Sequence, residues 1–296
     1  MYIEKYNEYK EMIDKHILDY FPEVDFKSNI LNEAVKDALL PGGKRIRPIL
    51  LLAATEFCGG KAKDALPYAC AVEYIHCSSL IHDDLPGLDN DDYRRGKLTT
   101  HKSFGEGIAI LTGDAMLNAA YEVFCKDMFL NFDDAKRIKA RIKAINEIAK
   151  GSGSRGIVAG QIADLEAENK ACSKEMMRYI HVNKTAALIV AAMRAGAYLA
   201  NATNEQLSDL TVFAESIGLG FQLKDDLLDV EGDPKITGKS IGSDVNKCTY
   251  IKVFGLEETK KEFEQLNIKA KNAIEKYGEK SEFFNEIIGE LARREK

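Results

Sequence analysis

The chain has 296 residues, 45% of them apolar, with a net charge of −6. It can bury a sizeable core, no composition break divides it, and a single domain over residues 1–296 is expected. An acidic balance without a basic stripe argues against a nucleic-acid binder. The charged N-terminal segment lacks the apolar core of a secretory signal, the longest apolar run (Ala186 to Met193) is far short of the roughly 20 residues of a membrane span, and six cysteines without a C-x-x-C pair read as reduced thiols of a cytoplasmic protein.

Taken in order, most of the chain reads as helix. Val35, Leu39 and Leu40 precede a break at Pro41-Gly42-Gly43. Lys44-Arg45-Ile46-Arg47-Pro48 leads into the apolar run Ile49 to Ala54, which Cys58-Gly59-Gly60 closes. Pro67 is expected in the first turn of the next helix, which carries Val72, Ile75 and Leu80 and ends where Pro86-Gly87 forbids continuation. Ile108 to Phe124, and Ile138, Ile142, Ile145 and Ile148, show helical spacing. Gly151-Ser152-Gly153-Ser154 suits either a flexible linker or close helix packing. Met177 to Ala200 and Leu207 to Val230 are strong helices, Gly232 to Lys247 a lysine- and glycine-rich loop, and Glu257 to Lys296 an amphipathic helix. No strand alternation appears, so the fold class is all-α, a single large bundle.

Two acidic clusters stand at the ends of apolar helical runs. The first holds Asp83, Asp84 and Asp89; the second holds Asp225, Asp226 and Asp229. Asp225 and Asp229 share one helix face, one turn apart. Carboxylates this close repel unless cations lie between them, and Mg²⁺ commonly bridges a few carboxylates to phosphate oxygens. The interleaved calcium loop is missing from both. Basic residues recur: Lys44, Arg45 and Arg47 follow glycines, Arg94 and Arg95 follow the first acid cluster, and Lys184, Lys239 and Lys247 stand in or beside apolar or glycine-containing stretches. Arginine gives bidentate geometry and lysine a point charge, a combination suited to a diphosphate. No Walker loop or G-x-G-x-x-G points to a nucleotide.

Several motifs occur together: Gly-Gly-Lys-Arg-Ile-Arg-Pro (Gly42 to Pro48), Asp-Asp-x-x-x-x-Asp (Asp83 to Asp89) with Arg94-Arg95-Gly96, Gly160-Gln161-x-x-Asp164, Lys184-Thr185, Phe221-Gln222-x-x-Asp225-Asp226-x-x-Asp229, Thr237-Gly238-Lys239 and Asn246-Lys247. With them the chain resembles the trans-polyprenyl diphosphate synthases, most clearly from Ala34 to Tyr250. The resemblance implies a helical bundle around a central cavity, a homodimer, and head-to-tail condensation of isopentenyl diphosphate with an allylic diphosphate (dimethylallyl, geranyl or farnesyl). It assigns the six aspartates to a trio of Mg²⁺. Arg94, Lys184, Thr185, Gln222, Lys239 and Lys247 fall to the allylic diphosphate and the cation formed from it. Lys44, Arg47, His76 and Arg95 fall to isopentenyl diphosphate, and Gln161 and Asp164 stand behind the site.

Two other readings compete. His82-Asp83 is also the signature of His-Asp metal phosphohydrolases, but those need further ligating histidines, and only five histidines exist here. A non-catalytic helical homologue would leave the intact acids and arginines without a purpose. For product length, Ser79 and Ser78 lie four and five residues before Asp83, about 6–7.5 Å along the helix axis. Family members that stop at fifteen carbons commonly place an aromatic floor there. Here both positions are small and Tyr74 lies deeper, so twenty carbons is the expected reach, with farnesyl diphosphate as intermediate or co-product.

Overall fold

The structure, a computed structural model, describes residues 2–23, 29–168, 170, 172–231 and 249–294. It is all-α apart from one small hairpin, and its residues cluster into two compact units. The first holds residues 3–145 and 198–201; the second holds 146–197 and the chain from Ala202 onward.

The first unit contains α1 (Tyr2–His16), α2 (Asn29–Leu39), α3 (Ile46–Phe57), α4 (Ala62–Asp83), α5 (Thr100–Phe104), α6 (Glu106–Leu130) and most of α7 (Ala135–Ser152). α3 and α4 are buried nearly all round, as their apolar runs require. α4 packs between α3 and α6. It begins five residues before Pro67, so that proline lies inside the helix rather than in its first turn; the good helix formers Ala62 to Leu66 extend the helix upstream. α6 buries Ala109, Met116, Ala120, Val123 and Phe124. By length and composition it could cross a membrane, although it holds no unbroken apolar run of that length, and its buried side is an ordinary core face. Its other side exposes Ile110, Leu111, Tyr121, Phe129 and Leu130.

The hairpin pairs β1 (Tyr93–Arg94) with β2 (Lys97–Leu98). Arg95 and Gly96 form its turn with φ of 54° and 78°, the two positive values a type I′ turn requires. Strands of two residues are too short to show alternation; the Arg95-Gly96 pair is their one local signature.

The second unit contains α8 (Ile157–Ala167), α9 (Lys174–Ile180), a π-helical turn (His181–Ala186), α10 (Ala187–Leu199), α11 (Asn204–Glu231), α12 (Tyr250–Phe254), α13 (Leu256–Ile274) and α14 (Glu282–Arg293). Ala163, Met177, Ile180, Leu223, Leu227, Tyr250, Phe263 and Leu291 form one core between them. The tail expected as one helix is two, because Gly278 takes a non-helical conformation (φ 57°, ψ −129°). The Gly-Ser stretch is not a linker. Gly151 and Ser152 end α7, and a β-carbon on Gly151 would meet that of Ala191 at 2.6 Å, so close packing excludes a side chain there.

Candidate active site

Asp83 ends α4, and Asp84 is the residue after it. The loop beyond them folds back on itself: the Asp89 amide donates to the Asp83 carbonyl at 2.9 Å and the Asn90 amide to Leu85 at 3.1 Å. The three acids of the first cluster are thereby tied to one helix end. Arg94, in β1, donates from Nε to both oxygens of Asp84 at 2.7 and 2.9 Å. Burial pushes the Asp84 carboxyl above the usual range, and Arg94 pulls it back only in part. A buried carboxylate of this kind needs positive charge beside it.

The hairpin turn sends the next arginine elsewhere. Arg95 donates from Nη1 to the Gly42 carbonyl, and its guanidinium lies against Gly43, where a β-carbon would come within 2.7 Å of Cζ. Gly43 also has φ of 151°, a conformation that disfavours any side chain. Arg47 Nη1 lies 3.3 Å from His76 Nε2. Burial, then Arg47, Arg95, Arg94 and Arg45 in turn, holds His76 well below the ordinary histidine range, so the imidazole is neutral within a cationic pocket. Lys44, three residues before Arg47, is exposed.

Arg45, in the same basic stretch, does not join the pocket. Its backbone is left-handed (φ 48°), and its side chain, 1% exposed, bonds Glu73 at 2.7 Å, Asp14 at 2.9 Å and the Leu39 carbonyl at 2.5 Å. This core anchor sets the start of α3. With one basic residue turned inward, Lys44 and Arg47 lie on either side of it.

In the second unit, Lys184 and Thr185 lie in the π-helical turn, where α8 packs so closely that a β-carbon on Gly160 would fall 2.1 Å from the Lys184 amide nitrogen. Such turns frequently mark functional sites. Lys184 Nζ bonds Asp164 at 2.7 Å. Thr185 donates to the Gln222 side-chain oxygen at 2.9 Å, Gln222 donates to Asp226 at 3.2 Å, and the Tyr250 backbone amide donates to Asp226 at 2.6 Å. Asp225 pairs with Arg294 at 2.6 Å, and that guanidinium lies 4.3 Å over the Phe221 ring. Asp225 and Asp229 both lie on α11, Gln161 on α8 beside Asp164. Behind Asp226, His181 stacks on Tyr250 at 5.3 Å and burial lowers its pKa to about 4.

Thus Asp83, Asp84, Asp89 and Arg94 come together; so do Arg47, His76 and Arg95, and Lys184, Asp164, Thr185, Gln222, Asp225 and Asp226. Lys239 and Lys247, with the loop Gly232 to Lys247 that contains them, lie outside the described residues. Ser78 is buried; Ser79 donates to the His76 carbonyl at 2.8 Å, and Tyr74, fully buried, donates to the Ile17 carbonyl at 2.5 Å. Sequence reasoning passed over Arg294 and the Tyr250 amide. A run of basic residues at 293–294 was the only signal for the first, and a backbone donor leaves none.

Among the described residues no three acidic, histidine or cysteine side chains converge as a finished metal sphere. The donor set is nonetheless all carboxylate. That suits Mg²⁺, which keeps several waters, takes substrate phosphate oxygens and needs only one or two carboxylates per ion.

The polyprenyl synthetase family model matches residues 28–287. The chain is 38% identical to the farnesyl diphosphate synthase of Bacillus subtilis, with 97% of this chain and 96% of that one covered. It is 45% identical to the chloroplastic geranylgeranyl pyrophosphate synthase of Capsicum annuum over 83% of this chain, and spans 66% of the length of that relative. Its fold is similar to that of the Helicobacter pylori geranyltransferase complexed with magnesium and isoprenyl diphosphate, with a TM-score of 0.82, 27% identity, and 97% and 95% of the two chains covered. With the match spanning all but the two ends, the chain belongs to the polyprenyl synthetase family.

Proposed function

We propose that this chain is a prenyltransferase that condenses isopentenyl diphosphate with allylic diphosphates, acting as a single domain whose two aspartate clusters serve one allylic diphosphate. The observation that carries this reading is that each cluster already holds a cation on a carboxylate, Arg94 on Asp84 and Arg294 on Asp225. Both are places where positive charge is wanted. Asp83, Asp84, Asp89, Asp225, Asp226 and Asp229 would hold Mg²⁺, three ions by family resemblance, and the bound ions would supply the charge neutralisation that makes diphosphate a competent leaving group.

The residues then divide the work. Arg94 and Lys184 add positive charge on the allylic diphosphate, with Lys239 and Lys247 assigned to the same task by sequence. Positive charge placed where negative charge develops stabilises the breaking carbon–oxygen bond. Thr185 and Gln222 present oxygen dipoles to the allylic cation; their mutual hydrogen bond, continued to Asp226, fixes their orientation. Lys44, Arg47 and Arg95 hold the second diphosphate, so that its double bond is the nucleophile. Neutral His76 can donate a hydrogen bond there without adding charge. The proton lost at the end passes most simply to the released diphosphate, and no side-chain nucleophile is required.

The small Ser78 and Ser79 support twenty carbons as the reach of elongation. Two copies are proposed to pair through the exposed apolar side of α6, and the protein to act in the cytoplasm. The test is extension of labelled isopentenyl diphosphate on dimethylallyl, geranyl and farnesyl starters with Mg²⁺. Products of fifteen and twenty carbons are expected, and Ser78→Tyr should shorten them. Hydrolysis without chain extension would instead favour a phosphohydrolase, and no turnover of any starter a non-catalytic homologue.

A further inference from the structure

His82 immediately precedes the first aspartate of the α4 cluster, and its ring is turned onto α6. It lies flat against α6. A β-carbon built on Gly113 would fall 2.2 Å from His82 Nε2, 2.6 Å from Cδ2 and 2.8 Å from Cε1. Nε2 lies 3.1 Å from the Ile110 carbonyl and 3.7 Å from Asp114 Oδ1. A carbonyl can only accept, so Nε2 carries the proton and donates to it. Ile110, Gly113 and Asp114 occupy positions i, i+3 and i+4 of one helix face, and together they form a seat for the ring. A glycine inside a helix is destabilising relative to alanine, so its presence at 113 calls for a reason, and the close approach of the ring supplies one.

Seating the ring also fixes the turn that leaves α4. The His82 carbonyl accepts the Leu85 amide at 3.1 Å, which begins the turn, and the Asp83 carbonyl accepts the Asp89 amide at 2.9 Å, which closes it. Asp83, Asp84 and Asp89 therefore all hang from a helix end whose last-turn side chain is bolted to a second helix. We propose that His82, seated on Gly113 and the Ile110 carbonyl, is a positioning residue that sets the geometry of the first aspartate cluster. The inference rests on the prenyl-transfer reading. It also gives the His-Asp pair a role other than direct metal ligation.

The test uses the full chain and two readouts: the Mg²⁺ requirement for calorimetric binding of geranyl thiolodiphosphate, which cannot react readily, and separate KM values for the two substrates. Gly113→Ala and His82→Leu should each raise the half-saturating Mg²⁺ at least about tenfold, the usual effect of removing a group that orients metal ligands. The KM for isopentenyl diphosphate should stay near the wild-type value. His82→Gln, which keeps a donor within reach of the Ile110 carbonyl, should recover most of the loss and remains informative if His82→Leu fails to fold. Gly113→Ala should add little in the His82→Leu background, because the two residues act as a unit. Variants that lower the melting temperature but leave the Mg²⁺ requirement within about twofold of wild type, or losses that simply add, would overturn the inference alone. A wild-type chain without Mg²⁺-dependent binding would overturn the prenyl-transfer reading, and this inference with it.

Discussion

The acids at the end of α4 are held by residues close to them in sequence, whereas those on α11 are held mainly by residues far away, with Gln222 the local exception. Asp84 takes Arg94, ten positions on, and the Asp83–Asp89 loop closes on its own backbone. Asp226 takes the Tyr250 amide, 24 positions on, and Asp225 takes Arg294 from beyond the end of α14. The first cluster is thus a local motif that a helix end and a hairpin can assemble. The second exists only once α12 and α14 have packed on α11. Substitutions in elements remote from the acids should therefore disturb the second cluster more than the first.

Removing the acids themselves gives the largest effect. Asp84→Ala and Asp225→Ala should each lower prenyl transfer by about 10²–10³-fold or more with little change in melting temperature, read by steady-state kinetics and thermal unfolding. A variant of one cluster that kept full activity would break the symmetry of roles assigned to the two.

Next is the inward anchor of the first unit. Glu73→Ala leaves Arg45 buried without its main partner and should cost about 3–5 kcal/mol of stability in denaturant unfolding. Arg45 and Glu73 are both nearly inaccessible, so solvent does little to screen the loss.

Burial lowers His181 to about 4, against 6.5 for an exposed histidine. Between those values the unfolded chain binds a proton that the folded chain does not, so stability rises with pH through this window and is flat for this group above it. The stability this group withholds at acid pH amounts to roughly 3 kcal/mol, which is present above about pH 6.5 and lost progressively as pH falls toward about 4. His76 acts in the same direction. His181→Phe should flatten the slope of unfolding free energy against pH by up to one proton.

Gly43→Ala should have a smaller and selective effect. Its β-carbon displaces the Arg95 guanidinium, which should raise the KM for isopentenyl diphosphate about tenfold while the allylic KM holds. Smallest is Arg294→Gln. This partly exposed pair is worth at most about 1 kcal/mol, so freeing Asp225 should lower the Mg²⁺ requirement by no more than about fivefold.

The contrast between the clusters also explains what could be read from the sequence. Apolar periodicity and the Pro-Gly and Gly-Gly breaks give the helices, and acid spacing gives both clusters, because these are properties of neighbouring residues. Arg45 shows the limit. It stands between Lys44 and Arg47 and looks like a third ligand, but a left-handed backbone and the distant Glu73 turn it inward. The π-helical turn under Lys184, the Tyr250 amide on Asp226 and the seat of His82 on Gly113 depend on which helices meet. No local pattern encodes that.

The proposed function requires acids from both clusters to serve one diphosphate. Its most direct test is calorimetric binding of geranyl thiolodiphosphate, with and without Mg²⁺, to the wild-type chain and to Asp84→Asn and Asp225→Asn. One analogue bound per chain only when Mg²⁺ is present, with binding abolished by either substitution alone, is the predicted result. Undiminished Mg²⁺-dependent binding in either variant would contradict it.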